Sequence, residues 1–66
     1  MDILTNLKKI RKERGLSQSQ VAEALKTTQQ QYSKYEKGIH EIPASRIIEL
    51  CKLFDISADW LLGLEE

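Results

Sequence analysis

A chain of sixty-six residues with 41% hydrophobic and 30% charged side chains has the composition of one small folded domain, which excludes a disordered tail or a collagen-like repeat. No apolar run approaches the roughly 20 residues that span a membrane and no signal-peptide stretch opens the chain, so the reading is a cytoplasmic protein. Net charge is zero but unevenly placed: residues 1–40 carry eight Lys or Arg against four acids (+4), and residues 41–66 carry two against six (−4), suggesting a basic working end and an acidic far end.

The first element is a helix over about residues 3–14, with Ile3, Leu7 and Ile10 on one face, Asp2 as N-cap and Gly15 in the left-handed position that ends it. Ser17 followed by Gln20 has the spacing of a capping box, and Val21, Ala22 and Leu25 supply the buried stripe of a short second helix near residues 18–25. Thr28 and Gln31 repeat the capping-box spacing and open a third helix. Its Tyr32 and Tyr35 lie three apart, and Gly38 marks its end.

Pro43 belongs to a loop or a first helical turn, so a fourth helix should run from Ala44 to Phe54, with Ile47, Leu50, Cys51 and Phe54 inward. The single Cys51 reads as a reduced thiol in that apolar pattern. Ser57 caps a last short helix, Ala58 to Leu62, with Asp59 favourably placed near its N-terminus and Gly63 just beyond its end. These elements predict an all-α fold of five helices in one domain, residues 1–66.

Only about three residues separate the second and third helices, too few for a long antiparallel hairpin but suited to the sharp crossing of a helix-turn-helix. In QSQVAEALKTTQQQYSKY the inward positions are Val21, Ala22, Leu25, Tyr32 and Tyr35, and at a close crossing nothing larger than the Ala22 methyl would fit without separating the backbones. With this stretch, RKERGLSQSQVAEAL, YSKYEKG and LCKLFDISADWLLG, nearly the whole chain resembles the Cro and phage-repressor family, often called XRE-type. The start of the third helix, Thr27-Thr28-Gln29-Gln30, is similar to that of certain lambdoid phage repressors.

The resemblance implies a compact five-helix, lambda-repressor-like domain whose third helix, residues 28–36, lies in the major groove of double-stranded DNA. With Gln31 drawn back to the Thr28 cap, Gln29 and Gln30 project from the first turn. A glutamine amide pairs bidentately with adenine, so an adenine-containing half-site is expected. Ser33 and Lys34 follow on the same exposed side, Lys34 within reach of a guanine edge or a phosphate. Gln18, with Ser17 and Thr28 at the two helix starts, should hold phosphate oxygens, and Lys37, His40 and Arg46 lie in or beside the loop where the family touches the backbone. The resemblance also pairs Arg11 of the first helix with Glu36 at the end of the third, a structural ion pair.

Two departures from the family stand out. Lys26 occupies a turn position where glycine is common, at a cost of roughly 1 kcal/mol if the backbone there is left-handed, and Tyr32 stands where an aliphatic side chain is usual, so its hydroxyl needs solvent or a partner.

One recognition helix reads few base pairs, which implies a homodimer on an inverted-repeat operator, with Trp60, Leu61 and Leu64 as candidate dimer contacts. Equally, Trp60 and Leu61 could close the monomer core. The functional expectation is a DNA-binding transcriptional regulator, most readily a repressor. The alternative is a protein-binding helical module holding a toxin, an antirepressor or another regulator, which the neutral net charge favours. With one His, one Cys, no metal-ligand spacing and no phosphate loop, neither an enzyme nor a cofactor or metal site is expected.

Overall fold

The computed structural model describes residues 2–64. It has α1 (Ile3–Glu13), α2 (Gln18–Ala24), α3 (Gln29–Glu36), α4 (Ala44–Phe54) and α5 (Ala58–Leu62), with no strand among the described residues. The expected boundaries hold to within about a residue at each end.

Local side-chain chemistry starts four of the five helices. Asp2 accepts from the Thr5 amide at 2.8 Å, Thr28 from Gln31 at 3.1 Å and Ser57 from Trp60 at 3.0 Å, each removing one orphan N–H of a helix start. At α2 the capping box is complete: Ser17 Oγ accepts from the Gln20 amide at 3.1 Å, and Gln20 Oε1 accepts from the Ser17 amide at 2.8 Å. The second predicted box is only half formed. Gln31 does not return to Thr28; its Nε2 donates instead to the Tyr35 hydroxyl one turn ahead, at 3.5 Å. The α4 N-cap is Pro43, which has no side-chain bond, and its carbonyl accepts from Arg46 and Ile47 as the helix begins.

Every helix runs into a left-handed residue at or just beyond its C-cap: Gly15, Lys26, Gly38, Asp55 and Gly63. At the end of α2 the Lys26 amide donates to Glu23 and the Thr27 amide to Ala22, the paired bonds of a Schellman motif. Lys26 therefore adopts the turn conformation usual for glycine, with φ of 58°. At Gly38 there is a second constraint, because a Cβ there would lie 2.9 Å from Leu4 Cδ1.

The core comprises Leu7 and Ile10 of α1, Val21, Ala22 and Leu25 around α2, Tyr32 and Tyr35 of α3, Leu50 and Phe54 of α4, and Leu61 of α5. On α4 the expected inward face is graded: Leu50 and Phe54 are buried, whereas Ile47 and Cys51 are half-buried against the cluster. Burial pushes the Cys51 thiol above its usual range, as expected of a protonated thiol at an apolar edge. Leu61 is 0% exposed, which corrects its assignment as a dimer contact: a side chain wholly enclosed by its own chain has no surface left to offer a partner. Trp60 is half-buried against the core, while Leu64 is 68% exposed.

Side-chain amides and guanidinium groups tie the helix ends together. Asn6, on the buried face of α1, donates Nδ2 to the carbonyls of Trp60 at 3.0 Å and Leu61 at 3.4 Å, locking α1 to the end of α5. Arg14 donates to the Phe54 carbonyl at 2.9 Å, and Arg46 to the Leu25 carbonyl at 2.6 Å. These carbonyls at or near helix ends lack a full set of intrahelical donors, so the long side chains satisfy groups that burial would otherwise leave unpaired.

Candidate nucleic-acid interface

The orientation of α3 is set from inside. Glu36, 1% exposed at its last turn, receives Arg11 Nε at 2.7 Å and Arg11 Nη2 at 3.1 Å, a two-pronged pair between α1 and α3. Gln18 Nε2 adds a third bond to the same carboxylate at 3.0 Å, and Arg11 Nη1 donates to the Leu16 carbonyl at 3.0 Å. One carboxylate thus gathers donors from α1 and the first residue of α2 onto α3.

Burial pushes the Glu36 carboxyl upward, but hydrogen bonding from Arg11 and Gln18, with the Arg11 charge, outweighs it and holds the group below the usual carboxylate value. The bond from Glu36 in turn raises Arg11. Tyr32 is wholly buried beside this pair, and its phenol is pushed far up by burial and then by the Glu36 charge. Its oxygen reaches no partner at hydrogen-bonding geometry, so the partner its sequence position called for is a charged neighbourhood rather than a formed bond.

With Tyr32, Tyr35 and Glu36 turned inward, the opposite side of α3 is left to solvent. Gln29, Gln30, Ser33 and Lys34 line one shallow open groove with Lys37 and Ile39 of the following turn. All four expected base-contact residues are thus brought together, and Lys37 joins them. Thr28 and Ser17 are exposed at their helix starts, each hydroxyl occupied by its capping bond.

Three expected backbone contacts are placed differently. The Gln18 side-chain amide is directed to Glu36 rather than outward, leaving its oxygen and second N–H. The Arg46 guanidinium is drawn to the Leu25 carbonyl and pairs with Glu49 at 3.2 Å, so it braces α4 against the end of α2. His40 is exposed but belongs to a separate depression formed with Ile3, Leu4, Gly38, Glu41 and Ile42.

Each of the three arginines, Arg11, Arg14 and Arg46, thus donates to a backbone carbonyl, and both ion pairs among the described residues use arginine. The mobile positive charge on the α3 face is therefore lysine, Lys34 and Lys37. Two residues of consequence were not singled out by sequence. Asn6 carried a signal, being a polar residue on the Ile3–Leu7–Ile10 face. Ile39 carried a weaker one, an apolar residue directly after the helix-ending Gly38.

Among the described residues no group of three or more His, Cys, Asp or Glu side chains could hold a metal ion, and no helix is long and apolar enough to cross a membrane. A short capped helix held across a second one by a three-helix ion-pair cluster, with a polar outer face, defines a helix-turn-helix unit. The helix-turn-helix family model matches residues 7–61. The chain belongs to that family, in its Cro and XRE-type branch.

Its relatives include an uncharacterized HTH-type transcriptional regulator of Rickettsia conorii, 40% identical over 58 residues, covering 86% of this chain and 46% of that protein. The HTH-type transcriptional regulator ImmR of Bacillus subtilis is 30% identical over 66 residues, covering 100% of this chain and 52% of ImmR. A crystal structure of a transcriptional regulator from Listeria innocua superposes with a TM-score of 0.87 at 29% identity, covering 98% of this chain and 61% of that one. The chain spans about half the length of the curated relatives it matches.

Proposed function

We propose that this chain is a sequence-specific double-stranded-DNA-binding domain of a cytoplasmic transcriptional regulator, acting as a repressor on an inverted-repeat operator with α3 in the major groove. The observation that carries the reading is the two-sidedness of α3: Tyr32, Tyr35 and Glu36 are buried, and Gln29, Gln30, Ser33 and Lys34 share one open groove. Gln29 and Gln30 read bases and favour adenine, and Ser33 and Lys34 complete the face. Lys37, with the exposed starts of α2 and α3 at Ser17 and Thr28, holds phosphates, and Gln18 adds its remaining polar atoms there. His40 and Arg46 flank this face, Arg46 acting chiefly through the α2 end it braces.

In this reading the functional form is a homodimer meeting through the exposed end of α5, where Leu64 and the open edge of Trp60 remain available. A second reading, a module that binds a protein rather than DNA, is favoured by the net charge of zero. The salt dependence of binding to duplex DNA separates them. With Lys37 on a phosphate, log affinity falls linearly with log salt, and replacing Lys37 by alanine flattens the slope by about 1. Binding that is absent at low salt, or insensitive to salt, supports the protein-binding module instead.

A further inference from the structure

The groove on α3 has one apolar lining side chain, Ile39, among Gln29, Gln30, Ser33, Lys34 and Lys37. Ile39 follows the left-handed Gly38 and donates its amide to the Lys34 carbonyl at 3.0 Å, so its backbone is fixed to the last turn of α3. Leu16 after Gly15 and Ile56 after Asp55 occupy the equivalent place at the ends of α1 and α4, and both turn inward onto the core. Ile39 does not: it is 63% exposed. Core packing therefore accounts for the apolar residue after α1 and after α4; Ile39, like Leu64 after Gly63 at the end of α5, stands outside the core, and of these two it is Ile39 that lines the α3 groove.

We propose that Ile39 is a specificity-determining residue that packs against the methyl group of a thymine at the edge of each half-site, an inference resting on the DNA-binding reading of α3. Of the features that base pairs present in the major groove, the thymine methyl is the apolar one, and apolar side chains are its usual readers. A branched side chain held by a helix-ending turn also has little freedom to lose when it docks. Lying beyond the last turn of α3, at the other end of the groove from Gln29 and Gln30, Ile39 adds a methyl contact at the edge of the half-site to the adenine-type hydrogen bonding of the glutamines.

The test begins with selection of a duplex from a random pool by the wild-type chain. Each thymine of the selected site is then replaced singly by deoxyuridine, which removes only the methyl, and affinities are measured for wild type and for Ile39→Ala. The expected result is one thymine, repeated symmetrically, at which wild type loses about fourfold, the worth of one buried methyl, while Ile39→Ala loses less than twofold. An unchanged melting temperature for Ile39→Ala, as its exposure predicts, ties the effect to the contact. A selected site without thymine, or deoxyuridine losses equal in the two proteins, overturns the role of Ile39 while leaving sequence-specific binding in place. Failure of wild type to select any sequence overturns both.

Discussion

Truncating Arg11 to alanine would strand the Glu36 carboxylate at 1% exposure with only Gln18 as a side-chain donor at bonding distance. Breaking a buried pair from one side costs about 3–5 kcal/mol, against under about 1 kcal/mol for an exposed pair, so Arg11→Ala should lower the denaturant midpoint strongly. The pH dependence has a definite sign. Glu36 ionises below its ordinary value near 4.5, so its contribution is fully present above that value and is lost as pH falls through the lower folded-state value. Urea titrations in steps from pH 6 to pH 3 should show the wild-type advantage over Glu36→Gln shrinking below about pH 4.5; an advantage that persists or grows there would contradict the assignment. The Arg11–Glu36 pair was anticipated through family resemblance, but the third donor, Gln18, was not. A flexible side chain points where its neighbours draw it: Gln18 faces a buried carboxylate, Gln31 has Tyr35 one turn ahead, and Arg46 meets the Leu25 carbonyl across a gap that no local spacing reveals.

At the scale of single helices, starts and stops were legible because they follow a short-range code. A Ser, Thr or Asp and the amide three residues on form a cap whatever lies beyond, and Ser17, Thr28, Ser57 and Asp2 all do so. The glycine endings were equally local. Asp55 was not recognised as a left-handed ending, since aspartate is tolerated there only somewhat more readily than other residues. Lys26 is the informative exception between α2 and α3. At φ of 58° a non-glycine residue carries strain of about 1 kcal/mol, so Lys26→Gly should raise stability by up to that amount, less the entropy glycine adds to the unfolded chain. A thermal shift of a few degrees upward is the expected outcome; a fall would mean that the lysine side chain contributes more than the strain removes.

For the whole molecule, the order of five helices and the inward face of each could be read from periodicity, because a chain this short has few ways to cover its apolar stripes. The allocation of the last segment could not. Leu61 and Leu64 look alike in sequence, yet Leu61 fills the core at 0% exposure and Leu64 stands at 68%, since only the first is drawn under α1 by the Asn6 bonds to the Trp60 and Leu61 carbonyls. Regional charge was a partial guide. The N-terminal excess of basic residues includes Arg11 and Arg14, which donate inside the fold, so the positive charge of the α3 face rests on Lys34 and Lys37. The central claim, that α3 reads bases, is tested most directly by selecting duplexes from a random pool with wild type and with Gln29→Ala in moderate salt. The account predicts an inverted repeat containing adenine for wild type, and loss of preference at one symmetric position in the variant, worth about 1–3 kcal/mol of discrimination. No enrichment by wild type at either low or moderate salt, or an identical repeat from both proteins, would contradict it.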